Sequence, residues 1–422
     1  MLGNSLAIFL SKSPRDILDS FIDKKIDFSA NFIYFLEKLL PQSFDNLKPT
    51  MLLAFIQRIY NTYQFASLCV RNDPGLFDSL PPSRPTRSVK MAPPSSAVQV
   101  IPAPVGSSTS FPSIIPAPVI RRPEENAGNS TLGFQQILTL SQRPSWRTRG
   151  LEAAAKLTRL EITIPPKPPV DDRLADAFAN IGPHVYEKDH PTTGASKAWL
   201  AHLDIIKHVY QSNFETALIL EDDADWDIAI RKQMINISSA VRQLTKTPET
   251  ESTPYGRSWD VLWLGHCAEH WDEDSETITF DDAHVCPHED YRTWMADDLA
   301  KLPDHKRAVY WSRNPICTFA YAVSHEGAGI ILREMGACQG EAFDVQLMLE
   351  CERNLRCISV VPEVFHQYFP PLDFAVKSDV DAGNGEGSGP GDEAFESIMG
   401  SVENIVHSAR CQALWGQDCQ RL

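Results

Sequence analysis

A short apolar segment that runs directly into a cluster of carboxylates constrains the fold of this chain more than any other feature. Residues 216–220 (TALIL) contain no charged side chain, and a continuous apolar run of this length is typical of a strand buried on both faces of a parallel sheet. The acidic run, residues 221–227 (EDDADWD), follows immediately. In open α/β sheets, ligands bind at the carboxyl ends of the strands. The sequence therefore predicts a ligand site at the acidic run.

The segments on either side of this run predict an α/β architecture. Residues 196–210 have apolar side chains at helical spacing, and Ser196 is the expected N-cap of that helix. Further strands are predicted within residues 133–143, 161–164, 259–264, 316–323 and 358–361, and further helices near residues 150–160 and 395–414. The runs at 259–264 and 316–323 are expected to be parallel strands like 216–220. Strands and helices in this order predict a sheet flanked by helices.

The first 130 residues differ in composition from the rest. Residues 1–80 are expected to form a partly helical, poorly ordered extension, and the Pro and Ser residues within 81–130 favour the extended, solvated backbone of a linker or stem. A folded domain is predicted at 131–422. Residues 51–70 approach the length of a membrane span, although polar residues such as Arg58 would be costly in hydrocarbon. That segment predicts either a weak membrane anchor or an amphipathic helix.

Charge and cysteine content limit the classes of partner and site. The net charge of -16 disfavours nucleic acid as a partner, because the field of the protein repels phosphate backbones. The nine cysteines form no CxxC pair and are odd in number, so they imply neither a zinc site nor a complete disulfide framework. Scattered buried thiols are expected, and Cys351 to Cys357 is the candidate for a single bridge.

The acidic run itself indicates a cation. Like carboxylates repel one another, and a hard divalent ion such as Mn²⁺ or Mg²⁺ neutralises them and often binds through one or two carboxylates together with substrate phosphates. Alternate carboxylates such as Asp223 and Asp225 could bracket one ion, whereas Asp227 is expected to face solvent. The alternative is that the run is an acidic, solvated exit from the strand.

Several motifs in a fixed order suggest a family. ALILEDDADWD is followed by WDVLWLGHC, TFAYAVSHEGA and VVPEVFHQ, and ILTLSQRPSWRTRGLEAA precedes them. Over about residues 132–414 this order resembles glycosyltransferase family 25, the lipopolysaccharide and collagen galactosyltransferase-like proteins. The resemblance implies a GT-A type, Rossmann-like fold with a mixed, mainly parallel sheet flanked by helices. It also implies a UDP-sugar donor, Mn²⁺ or Mg²⁺, and inversion at the anomeric carbon.

Matching the motifs by position assigns roles to individual residues. Glu221, Asp223, Asp225 and His366 would hold the metal, and Asp222, Arg143, Arg147 and His266 would bind the donor or line its cleft. A guanidinium fits phosphate oxygens, which favours the two arginines. Simpler roles stay open: His366 could be a buried imidazole, the arginines could belong to a solvated loop, and His202 is expected to be a structural histidine.

An inverting transfer also needs a general base that takes the proton of the acceptor hydroxyl. Asp344, in EAFDVQL, stands where the family has an Asp-containing segment, and Glu341 is the second candidate. Asp344 could equally be the N-cap of the helix that follows. The chain departs from the family at Lys197, Ala198 and Ala201, and these differences leave the donor and the acceptor undetermined.

The expected activity is transfer of a hexose, such as galactose, from the nucleotide sugar to a glycan or glycoprotein acceptor. A metal-dependent hydrolase of phosphate esters and a catalytically silent binding protein of the same family are the alternatives. If residues 51–70 are an anchor, the domain faces the lumen of the Golgi or the endoplasmic reticulum, and Asn129 and Asn236 are available as glycosylation sequons. Without an anchor, a cytoplasmic location is expected.

Overall fold

The structure is a computed structural model that describes residues 122–167, 170–181, 190–271, 274–293, 296–338, 340, 342–371, 380 and 396–420. The predictions for residues 1–121, including the possible anchor at 51–70, lie outside this part of the chain. None of the helices in the described ranges is long and apolar enough to cross a membrane. A 3-10 helix at Pro123–Gly128 buries Ala127, so ordered structure already begins before residue 131.

Eleven strands and eight helices are used below, all within the described ranges. The strands are β1 Gln136–Leu140, β2 Ile162–Thr163, β3 Thr216–Glu221, β4 Ala224–Trp226, β5 Val261–Gly265, β6 Thr277–Asp281, β7 Lys306–Trp311, β8 Ala320–Ser324, β9 Cys357–Val361, β10 Phe365–Phe369 and β11 Ser401–Val402. The helices are α1 Trp146–Thr158, α2 Asp172–Ala179, α3 Thr193–Gln211, α4 Ile230–Leu244, α5 Ala296–Leu299, α6 His325–Glu334, α7 Phe343–Arg353 and α8 Ala409–Trp415.

The main sheet is mixed and has eight strands in the order β2-β1-β3-β8-β5-β9-β7-β6. β1, β2 and β3 pair in parallel, as do β5 and β9, whereas β8 is antiparallel to both of its neighbours and β7 is antiparallel to β9 and β6. Six strands of this sheet therefore run in one direction and two in the other. The mixed α/β sheet flanked by helices is confirmed, but the strand at 316–323 is shorter than predicted and runs against β3 and β5.

Strand β3 is buried on both faces, as its apolar run predicts. Leu218 and Leu220 pack into one hydrophobic cluster with residues of α1 and α4, while Ala217 and Ile219 pack into a second cluster with residues of α3, α6 and α7. Successive side chains of a strand point to opposite faces, so an apolar run without alternation fits a strand covered by helices on both sides. The two layers of helices thereby fix β3, and with it the start of the acidic run.

Helix α3 begins earlier than predicted. Thr192 is its N-cap and accepts a hydrogen bond from the amide of Ala195 at 3.2 Å. Ser196, the expected cap, lies inside the helix with its side chain buried. The early start adds the first turn of α3 to the carboxyl edge of the sheet, where it lines the cleft described below.

The carboxyl-terminal segment forms a small second sheet and a short helix. The order of this sheet is β11-β10-β4, and β4 lies within the acidic run. The terminal helix was predicted at 395–414, but α8 begins only at Ala409, with Ser408 as its N-cap. The residues before it pair with β10 instead, since Ser401 and Val402 form β11.

A buried ion pair between Arg307 of β7 and Asp282, just after β6, gives a test of the fold. Nε of Arg307 donates to Asp282 at 2.8 Å, and its Nη1 donates to the carbonyl of Glu363 at 3.0 Å. Burial raises the pKa of Asp282, but Arg307 and hydrogen bonds from His284 and Gln233 outweigh that effect, so the pKa lies below its usual value. A carboxylate with a lowered folded pKa stabilises the protein above its unfolded pKa, and this stabilisation is lost as the pH falls through the folded pKa.

We expect Asp282→Asn to lower the free energy of unfolding at neutral pH by about 3 kcal/mol, because Arg307 loses its charged partner. The variant should also lose less stability than the wild type as the pH falls below about 4. Urea unfolding at several pH values measures both effects. Asp281→Asn is the control, since Asp281 pairs with Lys306 at 2.7 Å but is exposed. Equal losses in the two variants would contradict the prediction.

Candidate functional site

An open cleft lies at the carboxyl ends of β1 and β3. Leu140 and Glu221, the last residues of these two strands, are partners in the parallel register, and both line the cleft. Its volume, including the open mouth, is about 620 Å³. The acidic run thus begins in a cleft at the edge of the sheet where ligands of α/β proteins bind.

The cleft contains charges of both signs. Three consecutive carboxylates, Glu221, Asp222 and Asp223, line it together with the cationic side chains of Arg147, Lys167 and Lys197. Arg147 belongs to the first turn of α1, and Lys197 follows Gly194 in the early part of α3. Helix amino termini carry partial positive charge and favour anions. A ligand that combines an anion with a cation would fit this distribution of charge.

Asp223 shows where a cation could bind. Its Oδ2 accepts hydrogen bonds from Arg147 and, at 3.1 Å, from Gln367. Its Oδ1 is buried and has no hydrogen-bond partner among the described residues. Leaving a buried carboxylate oxygen unsatisfied is costly, so a cation at this oxygen would remove a penalty that the protein otherwise bears.

The described residues contain no group of three or more His, Cys, Asp or Glu side chains arranged to hold a metal ion. A site with three or more such side chains as ligands is therefore not present in these ranges. Mn²⁺ and Mg²⁺ sites that use one or two carboxylates and complete their shell with phosphate oxygens and water do not need three. Asp223, with Asp222 beside it, fits that second type of site.

Asp222 and Arg147 are coupled to Asp223. Nη1 of Arg147 lies 3.7 Å from Oδ1 of Asp222 and contacts Asp223 directly. Ser145 caps α1 and forms a reciprocal capping box with Thr148, which fixes the turn that carries Arg147. The guanidinium is almost fully buried. Arg147 is therefore held against the carboxylates at the base of the cleft and does not extend into solvent.

Glu221 is anchored from the other side of the cleft. The hydroxyl of Thr318 donates to its Oε1 at 2.8 Å, and Nε2 of His202 lies 3.6 Å from the same oxygen. Nδ1 of His202 is 2.9 Å from the hydroxyl of Tyr321, and its ring stacks on Phe343 with centroids 4.3 Å apart. The side chain of Glu221 is 30% exposed, so it can reach a ligand.

Tyr321 lies behind Glu221, in contact with His202. Burial, followed by the nearby Glu221 charge, raises the pKa of Tyr321 well above its usual value, so this hydroxyl stays protonated. His202, expected to be structural, is buried and packed as expected, but it also lines the cleft.

Asp225 does not lie in the cleft, although it was predicted to bind metal. It is fully buried, and its oxygens accept hydrogen bonds from the hydroxyl of Ser408, the amide of Arg410 at 3.0 Å and the amide of Trp226 at 2.8 Å. Burial raises its pKa, and the Arg410 charge opposes that shift. With three donors and no access to the cleft, Asp225 anchors α8.

Asp227 is buried as well, so the expectation that it faces solvent is wrong. Its Oδ1 accepts a hydrogen bond from the amide of Ala229 at 2.8 Å, and its Oδ2 accepts one from the amide of His407 at 2.9 Å. Nδ1 of His284 lies 2.9 Å from the same carboxylate. Burial raises the pKa of Asp227 despite these contacts. The end of the acidic run is therefore part of the core.

Two predicted histidines also lie away from the cleft. His366 is the register partner of Asp225 across β10 and β4, and its Nε2 is 3.7 Å from Glu363. His266 is 1% exposed, and its Nε2 is 3.0 Å from the carbonyl oxygen of Val360. Neither residue lines the cleft. The contact with Val360 directs the His266 ring toward β9, so this histidine at the end of a strand does not line the cleft.

The remaining predicted residues are divided between the surface and the layer behind the cleft. Arg143 is exposed on the loop after β1, next to the cleft residues Ser141 and Gln142 but not among those that line it. Asp344 accepts a hydrogen bond from the amide of Cys317 at 3.0 Å and is neither in the cleft nor the N-cap of α7, which is Ala342. Glu341 lies outside the described residues.

Sequence reasoning missed several residues that line the cleft or hold its carboxylates. Thr318 and Gln367 anchor Glu221 and Asp223 from distant parts of the chain, and nothing in their local sequence marks them. Lys197 could have been found, because it stands four residues after Thr193 and so lies one helical turn into an α3 that starts at Thr193. The prediction of a later helix start concealed that position.

No protein-family model matches the sequence, and no curated protein is significantly similar to it. The resemblance to glycosyltransferase family 25 therefore stays a prediction, and the chemistry of the cleft is interpreted from its own residues.

The structural role of Asp225 can be tested by substitution. We expect Asp225→Ala to lower the free energy of unfolding by about 3 kcal/mol, because Arg410 and Ser408 lose a buried acceptor. Urea unfolding monitored by circular dichroism measures the change. Asp304→Ala, which removes an exposed carboxylate, is the control and should unfold like the wild type. If Asp225→Ala left the unfolding midpoint unchanged and weakened Mn²⁺ binding, Asp225 would be assigned to the metal site.

Proposed function

We propose that this protein is a metal-dependent, inverting glycosyltransferase of GT-A type. It would transfer a hexose from a UDP-sugar to a hydroxyl group of a glycan or glycoprotein acceptor. One observation carries the proposal: Asp223, whose buried Oδ1 has no hydrogen-bond partner among the described residues, lines the same cleft as Arg147 and Lys197, at the carboxyl ends of two parallel strands. A nucleoside diphosphate with its divalent cation combines the charges that this arrangement would bind.

The residues that fit a bound Mn²⁺ or Mg²⁺ are Asp223 and its neighbour Asp222. Asp223 offers an oxygen without a partner, and Asp222 lines the same cleft. The cation, when bound, would neutralise the diphosphate and stabilise the charge of the departing nucleoside diphosphate. Asp225 and His366 are left out of the proposed ligands because neither lines the cleft.

The cationic side chains of the cleft would bind the remaining phosphate charge. Lys197 projects from the early part of α3, where the helix dipole adds to its charge. It pairs with Asp172, whose side chain is exposed, at 2.6 Å, and exposed pairs of this kind contribute little. Lys197 can therefore exchange Asp172 for a phosphate oxygen at small cost. Arg147 would keep the two aspartates oriented.

Glu221 is the best candidate for the general base. The base must be within reach of the acceptor hydroxyl, and Asp344 is bonded to Cys317 away from the cleft. Glu221 lines the cleft, is partly exposed, and is held by Thr318 with His202 behind it. The proposal therefore moves the base from Asp344 to Glu221 and assigns to His202 the role of positioning that carboxylate.

The disulfides favour a secretory location. Cys267–Cys317, Cys351–Cys357 and Cys411–Cys419 are bonded, and Cys286 and Cys338 are free and buried. Disulfides form and persist in oxidising compartments and are rare in the cytosol. One bridge was expected, and three are present in the described ranges. We therefore propose the lumen of the endoplasmic reticulum or the Golgi, with the anchor at 51–70 still a prediction.

The proposed activity predicts release of UDP from one UDP-sugar in a panel, dependent on Mn²⁺ or Mg²⁺. Asp223→Asn should reduce the rate by at least about 100-fold, since it removes the negative charge that would bind the cation. Asp281→Asn, which changes an exposed carboxylate, should retain full activity. Phosphate release without donor preference would favour a hydrolase, and absence of turnover with every donor would favour a binding protein.

Glu221 and Asp223 can be separated by their effects. We expect Glu221→Gln to lower kcat by about 100-fold or more while leaving the Kd for Mn²⁺ nearly unchanged, because its oxygen is assigned to the acceptor proton. Asp223→Asn should instead weaken Mn²⁺ binding. Isothermal titration with Mn²⁺ and initial-rate kinetics measure the two quantities. Loss of Mn²⁺ binding in Glu221→Gln would assign Glu221 to the metal.

A further inference from the structure

The chain contains two tripeptides of the Asn-X-Ser/Thr type that accept N-linked glycans. They are Asn129-Ser130-Thr131 and Asn236-Ile237-Ser238. The sequence pattern alone does not distinguish them. Their local structures differ in the exposure of the asparagine, in the conformation of the backbone and in the partner of the hydroxyl group, and these differences favour one of the two.

Asn129 lies in an exposed turn. It follows the 3-10 helix Pro123–Gly128 in extended conformation, with φ -79° and ψ -176°. Its Oδ1 accepts hydrogen bonds from the amides of Thr131 and Gly133, each at 2.9 Å. This is an Asx turn, in which the side chain of asparagine replaces a backbone acceptor. The carbonyl half of the carboxamide is thereby fixed.

The other half of the Asn129 carboxamide is available. No hydrogen bond of its Nδ2 group occurs among the described residues, and the side chain is exposed. The hydroxyl of Thr131 lies 3.1 Å from Oδ1 of Asn129 and 2.5 Å from the carbonyl oxygen of Phe134, so its single proton can be shared with either acceptor. All three residues of this tripeptide are at least partly accessible.

Asn236 lies in the middle of α4, which spans Ile230–Leu244. Its two following residues, Ile237 and Ser238, are fully buried. The hydroxyl of Ser238 donates to the carbonyl of Pro254 at 2.6 Å and points away from the asparagine. An enzyme that must hold the whole tripeptide would have to unwind α4 and expose part of the core.

We propose that Asn129 carries an N-linked glycan and that Asn236 does not. The co-substrate is an oligosaccharide on a lipid diphosphate, supplied by the oligosaccharide-transferring enzyme of the secretory lumen. Nδ2 of Asn129 forms a bond to the anomeric carbon of the oligosaccharide. The bond between that carbon and the diphosphate oxygen breaks, the lipid diphosphate leaves with the electron pair, and the carboxamide gives up one proton.

A glycan on Asn129 would lie far from the cleft. Asn129 precedes β1, and the carbonyl of Ser130 accepts a hydrogen bond from the amide of Glu161, just before β2, at 2.8 Å. The tripeptide is thus at the amino ends of β1 and β2, whereas the cleft is at the carboxyl ends of β1 and β3. The modification therefore does not compete with a ligand and is independent of the proposed transferase activity.

The test uses the full chain produced in cultured eukaryotic cells from its own amino terminus. Peptide mapping by mass spectrometry after treatment with an amidase that removes N-linked glycans should convert Asn129, and not Asn236, to aspartate. Asn129→Asp should abolish the mobility shift that the amidase causes on a gel, while preserving the oxygen acceptors of the turn. Asn236→Asp and Thr131→Ser, which keeps the sequon and the hydroxyl, should both retain the shift.

A glycan at Asn236, or none at Asn129, overturns the proposal. Circular dichroism of each variant distinguishes loss of a glycan from loss of the fold, since Asn129→Asp should have the spectrum of the wild type. Absence of any glycan also removes one support for the lumenal location but leaves the UDP-release assay as a separate test of the cleft.

Discussion

The region around the cleft depends on a pair of opposite charges, Asp225 and Arg410, that are buried together. Arg410 donates to the carbonyls of Asp222 at 3.0 Å and Ala224 at 3.1 Å, and its own amide donates to the Asp225 carboxylate. Burial raises the pKa of Asp225 and lowers that of Arg410, while the attraction between them opposes both shifts. Neither charge is tolerable in the interior without the other. The backbone of the acidic run is thereby fixed by a residue 188 positions away from Asp222.

Helix α1 is adapted to the same arginine. Nη1 of Arg410 donates to the carbonyl of Arg147 at 3.1 Å. A side chain at Gly150 would overlap the guanidinium group of Arg410, so the glycine leaves the space that Arg410 occupies. Because Arg147 in turn contacts Asp223, one buried cation orders both the turn that carries the cleft arginine and the turn that carries the cleft carboxylates. Cleft geometry and core packing are therefore parts of one structure.

The acidic run divides its carboxylates between two environments. Glu221, Asp222 and Asp223 line the cleft, whereas Asp225 and Asp227 bind the carboxyl-terminal segment. This division separates like charges that would repel one another if all of them faced one ligand. It also explains how a run of five acidic residues can be accommodated without a metal ion for every pair.

Glu221 is also held in place by the segment before β8. The disulfide Cys267–Cys317 joins the turn after β5 to the segment before β8, and Asp344 accepts the amide of Cys317. Cys317 has φ +69°, a left-handed conformation that these contacts hold in place. The next residue, Thr318, donates to Glu221. Asp344 thus holds the segment that carries Thr318, and it does not itself line the cleft.

The sequence by itself determined those strands and helices whose apolar pattern lies within one segment. The apolar run at 216–220 predicted a strand buried on both faces, and a sheet edge that carries the acidic run followed from it. Only the tertiary structure decided which carboxylates face the cleft. Asp223 and Asp225 lie in the same acidic stretch of sequence, but Asp225 accepts a hydrogen bond from the amide of Arg410. Contacts between segments distant in sequence also determine the direction of β8, the burial of His266 and the pairing of six cysteines. Alternation and spacing describe one segment at a time, whereas burial of a charge or a thiol is a property of everything that packs around it.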